Sequence, residues 1–231
     1  MVAVVLLPGM DGSGSLFAEF VAALGCRSIV VAYPPGQPLG YEELEQHVRS
    51  RLPSEEPFVL LAESFSGPLA VSIAASPPSQ LKALVLVCTF AKLPAPSFVL
   101  RLFKPVGLVP LWRAPVSLVS WLLLGRYGSD AMASALSRAI GAVTPSTWRA
   151  RFAAVLSVDK IPLLCRIRVP LLYLRASEDR VVFPSASALI SAHVRRSKVV
   201  AVEGPHFLLQ SKPQQCAAVV RAFAREQDLA L

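Results

Sequence analysis

Alternating β-strand and α-helix patterns at both ends of the chain constrain its fold most strongly. Strand-like apolar runs occupy residues 2–7, 29–33, 58–62, 84–87, 171–174 and 198–202. Helical spacing separates these runs, at residues 16–24, 41–52, 66–75, 185–194 and 213–227. Strands that are separated by helices favour right-handed βαβ units. The sequence therefore predicts an α/β fold, with a mostly parallel sheet of about six strands and helices on both faces.

The middle of the chain has a different pattern. From about residue 94 to residue 165 there is no strand pattern of this kind, and prolines interrupt the helix-like stretches. All three tryptophans, Trp112, Trp121 and Trp148, lie in this part. We interpret residues 94–165 as a helical cap that is inserted into a core formed by residues 1–93 and 166–231.

Composition limits the possible partners. Of the 231 residues, 54% are hydrophobic and 16% are charged, which suits a globular protein and excludes a disordered one. The net charge of +8 would suit anionic partners. However, the basic residues are scattered and no basic run alternates with aromatic residues, so we expect no nucleic-acid binding. The apolar stretches are too short to span a bilayer, and we expect no stable membrane insertion.

The cysteines and the first residues bear on location and cofactors. Cys26, Cys88, Cys165 and Cys216 are far apart and share no metal-ligand spacing. Residues 1–8 lack the positive charge and the cleavage site of a signal peptide. We therefore expect a cytoplasmic protein with no metal and no cofactor. The sequence does not indicate an oligomeric state.

Ser64 is the candidate nucleophile. Residues 60–67 read Leu-Leu-Ala-Glu-Ser-Phe-Ser-Gly, a strand pattern that enters a helix pattern through a tight turn. Such a turn strains the backbone of the serine and exposes its Oγ above the sheet. Strand and helix approach closely there, so the residues two before and two after must be small, and here they are Ala62 and Ser66. The alternative is a serine that only caps a helix.

His206 is the candidate base, because a serine hydroxyl needs a base to become a good nucleophile. The chain has three histidines, of which His47 and His193 lie within amphipathic helix patterns. His206 follows the last predicted strand, in a loop at the carboxyl end of the sheet, where open α/β sheets place their sites. The alternative is a structural loop histidine.

Asp179 is the candidate for the acid that orients the base. It follows the strand pattern at residues 171–174, and a helix and a strand fit between it and His206. Glu178 is its direct competitor and Asp159 a more distant one. The chain order serine, acid, histidine is that of enzymes with a Gly-x-Ser-x-Gly elbow on an α/β sheet.

Backbone N–H groups that could stabilise an oxyanion come from two places. One is Phe65, the residue after the nucleophile, and the other is the glycine-rich loop at residues 8–14, for which Met10 is the candidate. The alternative for this loop is phosphate binding. It lacks the Gly-Lys-Ser/Thr motif and the spacing of a dinucleotide fingerprint, which disfavours that alternative.

Four motifs together resemble the α/β-hydrolase superfamily, and within it the small bacterial carboxylesterases related to pimeloyl-carrier-protein methyl ester esterase. They read Leu-Pro-Gly-Met-Asp-Gly-Ser-Gly, Ala-Glu-Ser-Phe-Ser-Gly, Ser-Glu-Asp-Arg-Val-Val and Glu-Gly-Pro-His-Phe. The family usually has His-Gly where this chain has Pro8-Gly9. It also usually has a β-hairpin before the first parallel strand, so we expect a smaller sheet here. The resemblance implies a helical cap between the strands near Val87 and Leu171.

The sequence thus predicts a serine carboxylesterase that hydrolyses short- to medium-chain esters, with a small-molecule ester as its substrate. Apolar residues of the predicted cap would line an acyl pocket, with Trp112 and Trp121 as candidates. Alternatively, these residues only pack the cap on the core. An acyltransferase or thioesterase with the same three side chains remains an alternative, as does a ligand-binding module on a hydrolase fold.

Overall fold

The structure is a computed structural model that describes residues 2–93 and 115–231. In this part of the chain six strands form one sheet in the order β2-β1-β3-β4-β5-β6, and every neighbouring pair is parallel. The strands are β1 (Ala3–Leu7), β2 (Ser28–Val30), β3 (Phe58–Glu63), β4 (Leu81–Val87), β5 (Leu171–Ala176) and β6 (Ser197–Val202). This confirms the predicted α/β fold and its sheet of about six strands.

The central strands are mostly apolar because the sheet is covered on both faces. All five residues of β1 are buried. Successive side chains of a strand point to opposite faces. Accordingly, Val5 and Leu7 belong to one hydrophobic core, whereas Val4 and Leu6 belong to the other.

Helices close both cores. Five of them lie outside the segment between β4 and β5 and are longer than one turn: α1 (Ala18–Leu24), α2 (Tyr41–Arg49), α3 (Gly67–Ala75), α8 (Pro184–His193) and α10 (Pro213–Glu226). Buried side chains of α2, α3 and α8 pack in the core that contains Val5. Those of α1 and α10 pack in the core that contains Val4. The predicted placement of helices on both faces is confirmed.

The segment between β4 and β5 is helical where the structure describes it. It contains α4 (Val116–Leu123), α5 (Asp130–Gly141), α6 (Pro145–Ser157) and α7 (Ile161–Leu164). Residues 94–114 lie outside the described part, so the division into a core and a cap at 94–165 stays a prediction. The short helix α9 (Leu208–Ser211) lies between β6 and α10. Among the described residues, no helix combines the length and the apolar character that crossing a bilayer requires.

Gly67 marks the closest approach of α3 to the end of β4. A Cβ atom on Gly67 would overlap the side chain of Thr89 and lie 2.8 Å from its Cβ. At Gly141, at the end of α5, no atom of the described residues lies within 4 Å of the same position, apart from its chain neighbours and its own helix backbone. The two glycines therefore differ in whether they can accept a methyl group.

We expect Gly67→Ala to destabilise the protein by about 1–3 kcal/mol, because an added methyl group must displace Thr89. Gly141→Ala is the matched control, and it should stabilise the protein by up to about 1 kcal/mol, since it only restricts the unfolded chain. Urea denaturation of both variants and the wild type measures this. Equal effects of the two substitutions would contradict the close packing at Gly67.

Candidate active site

Ser64 stands at the turn between β3 and α3. Its φ is 50°, a left-handed conformation that costs a residue other than glycine about 1–3 kcal/mol. The Thr89 hydroxyl donates to the carbonyl oxygen of Ser64. Thr89 is held in turn by Tyr173, whose hydroxyl donates to the Thr89 carbonyl at 2.5 Å and accepts from its N–H at 3.0 Å. Side chains from β5 and the end of β4 thus maintain the strained turn.

The small residues around Ser64 do more than leave space. Ala62 and Ser66 are both fully buried. The Ser66 hydroxyl donates to the carbonyl of Pro8 and lies 2.5 Å from the hydroxyl of Tyr33, which is therefore the donor to it. Burial raises the pKa of Tyr33, which keeps its phenol protonated. The sequence analysis treated Ser66 only as a small residue. The feature that could have indicated its hydrogen bonds is a hydroxyl at the position where the Gly-x-Ser-x-Gly motif has its second glycine.

His206 lies in the loop after β6, and 2% of its surface is exposed. Its Nε2 is 2.8 Å from the Oγ of Ser64. Its Nδ1 is 2.9 Å from each carboxylate oxygen of Asp179. The structure therefore brings the three predicted side chains into one continuous hydrogen-bonded row at the carboxyl edge of the sheet.

Asp179 follows β5 in a turn that fixes its carboxylate. Its Oδ1 accepts from the backbone N–H groups of Val181 and Val182, both at 2.8 Å. Only 3% of the side chain is exposed. A carboxylate that is held by two amides cannot rotate freely, so it keeps the imidazole of His206 in one orientation.

The competing carboxylates have other partners. Glu178 forms an ion pair with Arg126 at 2.6 Å and accepts from the Tyr127 hydroxyl at 2.7 Å. The hydrogen bond from Tyr127, with that from Arg126, lowers the pKa of Glu178. Asp159 pairs with Lys92 at 2.7 Å. Glu178 thus connects the end of β5 to the helical segment, although it precedes Asp179 directly in the sequence.

The other two histidines bond to backbone carbonyls. His47 Nε2 is 2.9 Å from the Ala32 oxygen, and His193 Nδ1 is 2.8 Å from the Leu189 oxygen. Within residues 2–93 and 115–231, no three His, Cys, Asp or Glu side chains converge as metal ligands would.

The two predicted oxyanion donors come from the turn that contains Ser64 and from the loop after β1. Phe65 is in the first turn after it, where backbone N–H groups have no partner within the helix. The ring of Phe65 is buried and stacks on Tyr41 at 4.9 Å, and its carbonyl accepts from the Tyr41 hydroxyl. Met10 lines the same cavity as Ser64.

A cavity of about 220 Å³ opens onto Ser64 and His206. Most of its lining is apolar and comes from helices α4 to α6 and from the loops after β5 and β6: Val119, Leu122, Leu123, Leu136, Ile140, Trp148, Phe152, Val181 and Phe207. Trp121, which was predicted to bind substrate, is 55% exposed and carries the Arg180 guanidinium over its ring. The tryptophan that lines the cavity is Trp148. Trp112 lies outside the described residues.

Glu63 is a buried carboxyl group beside the candidate nucleophile. It is 5% exposed and lines the cavity. Its Oε2 accepts from Gln210 at 3.3 Å, whereas its Oε1 has no hydrogen-bond partner in the described part of the chain. Burial raises the pKa of Glu63 to about 8, an effect that the nearby Asp11 strengthens and Gln210 opposes. The group is therefore mostly protonated at neutral pH, which sequence reasoning did not foresee.

Comparisons with known proteins agree with this architecture. The sequence profile of the alpha/beta hydrolase family matches residues 4–219. None of the curated proteins matches the sequence significantly. A solved bromoperoxidase from Bacillus anthracis is 16% identical and has a TM-score of 0.83, over 97% of this chain and 92% of its own.

Two further solved structures are similar over nearly the whole chain. A hydrolase from Pseudomonas aeruginosa PA01 is 21% identical with a TM-score of 0.78, over 96% of this chain and 89% of its own. An enol-lactonase from Burkholderia xenovorans LB400 is 18% identical with a TM-score of 0.78, over 97% and 91%. At such identities the similarity is one of fold.

Glu63 should make stability depend on pH. Between its unfolded pKa of 4.5 and its folded pKa of about 8, the folded protein keeps a proton that the unfolded chain releases. The free energy of unfolding should therefore fall as pH rises through this range, by up to about 1.4 kcal/mol per pH unit, and level off above it. Glu63→Gln removes this component. We expect the variant to gain stability relative to the wild type from pH 5 to pH 8 in denaturant titrations, and parallel curves would contradict it.

Proposed function

We propose, given that this chain belongs to the alpha/beta hydrolase family, that it is a serine esterase which cleaves short- to medium-chain carboxylic esters. The observation that carries the proposal is the row of hydrogen bonds from Ser64 through His206 to Asp179. In such a row each group prepares the next, because the carboxylate orients the imidazole and the imidazole accepts the proton of the serine.

The first half of the proposed reaction forms an acyl-enzyme. The Oγ of Ser64 attacks the ester carbonyl carbon while its proton moves to Nε2 of His206. Negative charge then develops on the carbonyl oxygen, and the N–H groups of Phe65 and Met10 stabilise it. The buried Asp179 carboxylate stabilises the imidazolium that forms. As the tetrahedral intermediate collapses, His206 protonates the leaving alcohol.

The second half releases the acid. Water takes the place of the alcohol. The water oxygen attacks the acyl carbon while one of its protons moves to Nε2 of His206. The second tetrahedral intermediate is stabilised by the same two N–H groups, and its collapse returns the proton to Ser64.

The lining of the cavity favours a substrate with an apolar, uncharged acyl group. Among the described residues that line it there is no lysine and no arginine, and the acidic groups near Ser64 are Asp11 and Glu63. An anionic acyl chain would find no countercharge there. One structural neighbour is named as an enol-lactonase, and a lactone is a carboxylic ester.

We further propose that residues 94–165 act as a cap over a core of residues 1–93 and 166–231. The support is that helices α4, α5 and α6 supply Val119, Leu136 and Trp148 to the cavity wall. In this arrangement the core provides the reacting groups and the cap selects the acyl chain.

Ser64→Ala should lower kcat for a p-nitrophenyl ester by on the order of 10⁴-fold or more, because it removes the atom that bonds to the acyl group. Its thermal unfolding should stay close to that of the wild type. The matched control is Ser79→Ala, which changes an exposed serine and should leave kcat unchanged.

Covalent labelling makes the same test without a substrate. A fluorophosphonate probe should label the wild type at Ser64, as located by mass spectrometry, and should not label Ser64→Ala. A folded wild-type protein that neither reacts with the probe nor hydrolyses esters would overturn the proposal and favour a binding module on this fold.

Ile140→Phe should shift the substrate range towards shorter chains, because a larger side chain fills part of the cavity. For p-nitrophenyl octanoate we expect kcat/KM to fall about 10-fold or more, the scale of losing room for one or two methylene groups. The acetate ester is the internal control and should change little. Equal losses for both esters would mean that the acyl chain does not occupy this cavity.

A further inference from the structure

In the loop that follows β1, every backbone carbonyl from Pro8 to Gly12 accepts a hydrogen bond. The carbonyl of Pro8 accepts from Ser66, that of Gly9 from the Gly12 N–H at 3.0 Å, and that of Gly12 from the Tyr33 N–H at 2.7 Å. The two carbonyls between them, at positions 10 and 11, accept from one side chain that comes from a distant part of the chain.

That side chain is Arg151, on helix α6. Its Nη1 donates to the carbonyls of Met10 at 2.7 Å and Asp11 at 2.9 Å, and its Nη2 donates to the carbonyl of Pro34 at 3.1 Å. A Cβ on Gly12, which has a φ of 72°, would lie 2.8 Å from Nη1. The guanidinium therefore lies directly against the loop backbone, in space that only a glycine leaves open.

These bonds determine where the loop's N–H groups point. A peptide unit is planar and trans, so its N–H and C=O point in opposite directions. The N–H of Met10 shares its peptide unit with the Gly9 carbonyl, which is turned towards Gly12. Arg151 holds the next two units by their carbonyls, and the second of these units carries the Gly12 N–H that bonds to the Gly9 carbonyl. The guanidinium therefore acts on the unit that carries the Met10 N–H through Gly12, since rotation of that unit would break the bond between Gly9 and Gly12.

Arg151 is almost completely buried and carries its charge among backbone carbonyls. Only 1% of Arg151 is exposed, and its Nε has no acceptor among the described residues. Burial lowers its pKa, which the nearby Asp11 carboxylate opposes. Removing a guanidinium from water is costly, and hydrogen bonds to buried backbone carbonyls offset part of that cost. Two of these bonds go to the loop after β1 and one to Pro34, which follows β2. Arg151 therefore holds the loop after β1 in a fixed place relative to helix α6.

We infer that Arg151 is a positioning residue for the oxyanion hole, which holds the loop after β1 so that the Met10 N–H faces the reacting carbonyl oxygen. The inference rests on the proposed esterase function and adds a residue that does not touch the substrate. It connects the helical segment to the step in which negative charge develops.

Arg151→Met tests the inference, because the loss of a positioning residue should change kcat much more than KM. A displaced oxyanion donor weakens only the transition state, so we expect kcat to fall about 10- to 100-fold while KM changes less than about twofold. A trifluoromethyl ketone adds to Ser64 and places a negative oxygen in the hole. Its inhibition constant should rise by the same factor as kcat falls.

Two further variants separate positioning from charge and from folding. Arg151→Lys keeps the positive charge and most of the packing but cannot bond to both carbonyls at once, and it should show an intermediate loss of both kcat and ketone affinity. Arg138→Met removes an exposed arginine from helix α5 and should leave both quantities unchanged. All measurements are made below the thermal midpoint of each variant.

The inference fails if Arg151→Lys, folded and reactive, matches the wild type in both kcat and ketone affinity. It also fails if Arg151→Met, where it folds, raises KM but leaves kcat and the ketone affinity intact. Failure of the esterase proposal looks different, since the wild type itself would then not react with the fluorophosphonate or the ester. If the wild type is active and the two Arg151 variants behave like Arg138→Met, the inference about Arg151 fails but the esterase proposal stands.

Discussion

The whole site depends on one strained residue at the point where a buried strand turns into a helix. Ser64 adopts a left-handed backbone conformation, and a strained strand-to-helix turn of this kind exposes the serine Oγ at the end of the sheet. Such a conformation persists only when its surroundings hold it. Here the Thr89 hydroxyl donates a hydrogen bond to the Ser64 carbonyl, and the Thr89 side chain fills the space that Gly67 leaves empty. The position of the candidate nucleophile is therefore set by the end of the sheet and the helix that follows it.

Parallel strands explain why distant segments meet at Ser64. The carboxyl ends of β1, β3, β5 and β6 all lie at one edge, so the loops that follow them are neighbours in space although they are far apart in the chain. The helical segment is attached to three of these loops, and to the one after β1 it is attached by Arg151. Tyr127 donates to Glu178, beside the candidate acid, and Phe207, beside the candidate base, donates its N–H to the Leu123 carbonyl.

Much of this architecture could be predicted because its signals are local. Strand and helix patterns led to the fold, and the order of motifs led to the family, both of which are confirmed. The sequence favoured Asp179 but left Glu178 as its competitor, since adjacent residues differ only in where a turn directs them. In the structure the Asp179 carboxylate bonds to His206, whereas that of Glu178 bonds to Arg126 and Tyr127. The roles of Ser66 and Arg151 also escaped prediction, because each depends on contacts with residues far away in the chain.

The contact between Arg151 and the loop after β1 also affects how this protein could be engineered. Grafting the helical segment of another family member would be the natural way to alter the range of accepted molecules. Such a chimera would lose the guanidinium together with the old pocket wall, unless the donor segment carried an arginine at the same place. On the proposed roles of this segment and of Arg151, a redesign that changes which acyl chain binds must also retain the guanidinium in order to keep the rate.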